Sequence, residues 1–141
     1  KDTNIIMDAG WHLVDLALWL FGKSEVWNNI RNSLELDCND TAQFWLRHKN
    51  SLTYIWLDYL RRDKVWGIDV IGTRGTLSLI SSGKNPESSA VIFFKNETTT
   101  ELFLHIMVHP DEMYRNQLNY LLKETWESNI DEALEVMKIC S

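Results

Sequence analysis

The chain has 141 residues, of which 45% are hydrophobic and 24% charged, the size and balance of one globular domain with a core of its own. Its net charge of −6 excludes nucleic acid as a partner, because nothing would neutralise phosphate. The apolar run around Leu16–Phe21 is too short to span a bilayer, and Cys38 and Cys140 fit no metal or redox spacing, so a reducing, cytoplasmic compartment is expected.

The first predicted element is a helix over Asp8–Gly22. At about 100° per residue, Asp8, His12, Asp15 and Trp19 fall within roughly 60° of one another. Leu13, Leu16, Ala17, Leu20 and Phe21 cover the other side at amphipathic spacing, and Gly22 stands where a left-handed residue ends a helix. An Asp four residues before a His can accept one imidazole N–H, which fixes the tautomer and leaves the other nitrogen as a base near neutral pH. Asp15 is placed to accept hydrogen bonds from the hydroxyls of a polyol. The same spacing also fits a solvated surface ion pair. A metal site built from His12 and the two carboxylates is a further reading, although no additional Cys or His stands at a recognisable spacing.

Strands follow. Glu25–Leu36 shows mixed alternation through Val26, Ile30, Leu34 and Leu36. Thr41–His48 alternates cleanly, with Ala42, Phe44 and Leu46 on one side and Thr41, Gln43, Trp45 and Arg47 on the other. Lys49-Asn-Ser51 should turn this strand into Leu52–Leu60, where both alternating sets are largely apolar and both faces should be covered. Arg61-Arg-Asp-Lys64 reads as a charged turn. Val65–Ile71 and Thr76–Ile80 are strands joined through Gly72-Thr-Arg-Gly75, which meets no phosphate-loop pattern and suits a tight hairpin. After a loop over Ser81–Ser89 come strands Ala90–Phe94 and Thr99–Ile106, linked by Lys95-Asn-Glu-Thr98. His105 and His109 are four apart, but Pro110 spoils a helical ligand pair. A second helix starts at Pro110, with Met113, Gln117, Tyr120, Leu121 and Trp126 as its apolar stripe. Ser128-Asn-Ile-Asp131 caps a last helix through Cys140, with Ile130, Leu134, Met137 and Ile139 inward.

With no internal repeat, the order predicts a single α+β domain over residues 1–141: an open, largely antiparallel or mixed sheet of about six strands with helices packed on one face. The other face would expose aromatics from several strands, so a homodimer through this open sheet face is expected.

Met7-Asp-Ala-Gly-Trp-His-Leu-Val-Asp15, with Trp19-Leu-Phe-Gly22 downstream, resembles the D-x-G-x-H-x-x-D…W-L-x-G signature of the glucose–fructose oxidoreductase/inositol dehydrogenase (Gfo/Idh/MocA) family. The match falls on Asp8, Gly10, His12, Asp15 and Gly22. Ile71-Gly72…Gly75…Leu77 resembles the family's sheet hairpin, shifted by one position at its start, and the Met113-Tyr-x-x-Gln-Leu-x-x-Leu121 and Asp131-Glu-Ala-Leu-Glu-Val136 helices are similar to its tail. The resemblance implies a dihydrodipicolinate-reductase-like C-terminal domain of an NAD(P)-dependent oxidoreductase acting on a sugar, cyclitol or nucleotide sugar. It implies a catalytic pair, Asp8 and His12, and a substrate contact, Asp15. The NAD or NADP site would lie mainly in a dinucleotide-binding domain expected before residue 1, with no cofactor residue and no metal site in this chain, so the piece alone should be inactive. Where the family approaches the motif through glycines, this chain has Asp2-Thr-Asn-Ile5. That departure keeps open a non-catalytic dimerising or ligand-binding module derived from the same fold.

Overall fold

The computed structural model describes residues 4–62, 65–82, 89–95, 98–100, 110–122 and 129–141. In chain order they form a π-helical turn (Ile6–Gly10), α1 (Trp11–Phe21), β1 (Ser24–Asn32), β2 (Thr41–His48), β3 (Leu52–Asp58), β4 (Val65–Gly72), β5 (Gly75–Ser82), β6 (Ser89–Lys95), β7 (Thr98–Thr100), α2 (Pro110–Leu121) and α3 (Ile130–Cys140). The chain divides into two compact units, Lys1–Arg62 with Glu127–Ser141, and Asp63–Trp126. The class is α+β, as the order of elements predicts, but the described strands pair as two sheets, of three and four strands, where one open sheet was expected.

In the first unit β1, β2 and β3 form an antiparallel sheet in that order. The alternation in β2 settles its register: Ala42, Phe44, Leu46 and His48 are buried, while its other residues face away. Its partner β3 buries Ile55 and Leu57 and leaves Leu52, Tyr54 and Trp56 exposed. A bulge between Val26 and Asn28 sets Trp27 beside Asn28 opposite Trp45. The exposed face is therefore aromatic. The Trp45 and Tyr54 rings lie 4.9 Å apart, and the Arg47 and Arg61 guanidinium groups cover Trp27 and Trp56 at 5.2 and 6.0 Å.

The covered face meets the helices. Ile5, Ile6, Val14 and Ala17 pack with Phe44 and Leu46, and Val136, Ile139 and Cys140 of α3 close the same cluster. The core stripe of α1 differs from the expected one. Val14 and Ala17 are buried, whereas Leu20 and Phe21 remain 44% and 37% exposed, because the π-turn and Ile5–Ile6 set the angle at which the helix meets the sheet. In α3 the inward side chains are Val136, Ile139 and Cys140, while Ile130, Leu134 and Met137 face outward. Only Ile139 of the expected set lies inside, since α3 packs along α1 through its last turns. The first strand also ends early. After Asn32 the chain bends at Leu34–Asp37, and Leu34 and Leu36 are exposed.

That bend is organised by Asp40, a fully buried carboxylate. Its Oδ2 accepts the backbone N–H groups of Leu34, Glu35 and Leu36 at 2.8, 2.7 and 3.1 Å. At the other end of the sheet, Gly22 takes φ 77° and donates its N–H to Leu18 O, the expected helix stop.

In the second unit, β4, β5, β6 and β7 form an antiparallel sheet in sequence order. Gly72 pairs with Gly75 across a two-residue hairpin, and no phosphate-loop geometry is needed to account for either. The exposed side chains of Tyr120 and Leu121 on α2 do not form the buried stripe expected of them. The expectations placed on Lys64, residues 83–88, 96–97 and 101–109 (His105 and His109 included), Trp126 and Ser128 lie outside the described residues. Among the described residues, no helix is long and apolar enough to cross a membrane.

Candidate active site

The approach to the signature is a tethered turn. Ile5 N–H donates to Asn39 O at 3.0 Å, and the Asn4 side chain accepts Ile6 N–H at 3.0 Å, while the Asn4 carbonyl accepts Met7 and Asp8 N–H. Buried Ile5 and Ile6 anchor this turn from below. Trp11 N–H then reaches back five residues to Ile6 O, closing a π-turn before the α-helix begins. Gly10 lies against β3, where a Cβ would stand 3.1 Å from Leu57 Cδ1. A side chain here would press on Leu57, which would have to give by a few tenths of an ångström. The signature glycine thus seats the segment that carries Asp8.

Asp8, His12 and Asp15 are all exposed, and so is Trp19, at 79%. The helix therefore presents these four residues to solvent, on the side expected of them. Their mutual geometry is less regular than a 100° projection implies. Asp8 belongs to the π-turn, and His12 and Asp15 belong to α1. The His12 ring lies 6.2 Å from that of Trp11. Among the described residues, no three His, Cys, Asp or Glu side chains gather as a metal site would require.

The hydrogen bond on Asp8 comes from Tyr59, whose phenol donates to Asp8 Oδ2. This differs from the pairing with His12 that the i, i+4 spacing suggests. Tyr59 lies just beyond β3, its ring packs against the core cluster, and its backbone N–H donates to Asp40 O at 2.9 Å. Burial, the bond to Asp8 and the charges of Asp8 and Cys38 push its phenol up to about 12. At neutral pH Tyr59 is thus a proton donor in a hydrogen bond and not a base. Sequence reasoning missed Tyr59. It follows β3, 51 residues away from Asp8, and no local pattern joins the two.

The face exposes an imidazole on α1, a carboxylate on the π-turn held by Tyr59 and a second carboxylate on α1. These groups suit proton exchange with a hydroxyl and hydrogen bonding to its neighbours.

The sequence model of the GFO/IDH/MocA C-terminal domain matches residues 1–78. No curated protein matches the chain. Solved structures that share its fold include two oxidoreductase chains. One is of a candidate oxidoreductase from Bacteroides fragilis, with a TM-score of 0.68 and 20% identity over 99% of this chain and 48% of that one. The other is of a candidate NADPH-dependent oxidoreductase from Desulfitobacterium hafniense, with a TM-score of 0.74 and 14% identity over 96% of this chain and 43% of that one. The chain thus spans a little under half the length of each. With that domain's pattern running through more than half of its 141 residues, the chain belongs to the GFO/IDH/MocA family and carries its C-terminal domain.

Proposed function

We propose that the chain is the substrate-binding and oligomerising domain of an NAD(P)-dependent oxidoreductase acting on a hydroxyl or carbonyl of a sugar, cyclitol or nucleotide sugar. The observation that carries this reading is the exposed Asp8–His12–Asp15 set on a helix start seated against β3, in a chain of this family. The nicotinamide, when bound, exchanges a hydride with the substrate carbon. His12 takes the hydroxyl proton in oxidation and returns it in reduction. Asp8 stabilises the imidazolium that forms, and Asp15 accepts a hydrogen bond from a neighbouring hydroxyl. No residue of this chain is assigned to cofactor binding.

The aromatic face of β1–β3 is proposed to meet a second copy of the chain, sheet against sheet. Trp27, Ile30, Leu52, Tyr54 and Trp56 are exposed on it, and a face so apolar favours self-association. Neither cysteine forms a disulfide, in keeping with a reducing compartment such as the cytoplasm.

The test is a panel of sugars, cyclitols and nucleotide sugars offered to the full-length protein with NAD or NADP, with absorbance followed at the reduced-nicotinamide band. Turnover that disappears in His12→Ala is the expected result. A silent panel, with no protection of the protein by either cofactor, selects the non-catalytic dimerising or ligand-binding module instead.

A further inference from the structure

Asp8 is an exposed side chain on the π-turn. Left alone, such a carboxylate samples several rotamers in solvent, and a base oriented by it would be poorly aimed. What restrains it is Tyr59, and the restraint is rooted deeply. The Tyr59 ring packs against the core, its N–H is held by the Asp40 carbonyl, and the Asp40 carboxylate is itself pinned by three backbone N–H groups. The phenol thus takes its position from the sheet, while the carboxylate it grips belongs to the helix start.

We propose that Tyr59 is a positioning residue for Asp8, its hydroxyl fixing the carboxylate at the end of β3 so that this acid keeps one bearing through turnover. This rests on the oxidoreductase reading of the Asp8–His12 pair. Asp8 from the π-turn and Cys38 from the β1–β2 connection are the ionisable groups acting on the phenol, and both keep it protonated. A tyrosine serving as the base itself would need the opposite shift. Tyr59 therefore acts through Asp8.

Tyr59→Phe removes the hydroxyl and keeps the ring in its packing. In the full-length protein, on the polyol that the panel turns over, kcat should fall about tenfold while KM stays within about twofold, the mark of lost alignment. In an Asp8→Ala background the same substitution should change nothing, because its effect passes through the acid. A purely structural role would lower stability and leave kcat per folded molecule unchanged. A second measurement needs no turnover: at neutral pH the Tyr59 ring 13Cζ resonance, identified by its loss in Tyr59→Phe, should shift in Asp8→Ala. Unchanged kcat in Tyr59→Phe, equal losses in both backgrounds or an unmoved resonance each overturns the role of Tyr59. A wild type silent on the whole panel overturns the oxidoreductase reading and the positioning role with it.

Discussion

His48 Nδ1 lies 2.8 Å from the carbonyl oxygen of Gly22, so a buried ring at the end of β2 ties the sheet to the stop of α1. The carbonyl can only accept, which places the proton on Nδ1 and leaves Nε2 to accept from the Thr53 hydroxyl at 2.9 Å. Phe21 covers the ring at 5.5 Å. His48→Leu fills the space but strands a carbonyl and a hydroxyl. The expected loss is about 1–3 kcal/mol, read from the urea midpoint. A midpoint equal to the parent's would mean that solvent satisfies both groups.

Asp40 predicts how stability responds to acid. Burial alone would raise its carboxyl, but the backbone N–H groups of Glu35, Leu36 and Leu34 hold it below the usual carboxylate range. A carboxyl whose folded value is depressed stabilises above its unfolded value, near 3.8, and that contribution is lost as pH falls through the folded value. Asp40→Asn should therefore lower the denaturation midpoint at pH 7, and the gap from wild type should close below about pH 4. A gap that persists into acid would contradict this role.

The proposed proton relay predicts a separation of chemistry from cofactor binding. In the full-length protein, Asp8→Asn or His12→Ala should cost about two to four orders of magnitude in turnover. Nicotinamide binding, followed by quenching of tryptophan fluorescence, should be retained. Asp15→Ala should act mainly on KM. Turnover unchanged in both of the first two variants would end the assignment.

Association through the sheet is open to direct measurement. Tyr54 and Trp56 are 53% and 51% exposed on the face proposed to be shared. Trp56→Glu would bury two like charges about the symmetry axis of a dimer, so sedimentation velocity should show a monomer where the parent shows a dimer. Identical sedimentation of parent and variant would place the contact elsewhere.

The sheet was the most legible part of the chain. Residues Thr41–His48 form β2 with the boundaries and faces expected, because a strand buried on one side writes a period of two. The Gly72–Gly75 hairpin was readable for a similar local reason. Of the active-site face, the exposed side of the helix was legible and the contacts of its acid were not. Helical projection assumes uniform winding, and the π-turn departs from it at Asp8, so the projection could not fix the bearing of Asp8 on His12; within α1 the buried positions are Val14 and Ala17. Tyr59 was beyond reach because its bond to Asp8 exists only once β3 has been laid against the helix start.

A π-turn holds one residue more than the α-turn it replaces. Removing one residue between Ile6 and Gly10 would let an uninterrupted helix run from Asn4, with its backbone ladder complete. With Asp8 kept, its carboxylate would then take a different bearing relative to His12 and to the end of β3. A shortened chain of that kind would keep its fold and lose its aim, so the surplus residue is best understood as an angular setting written into the main chain.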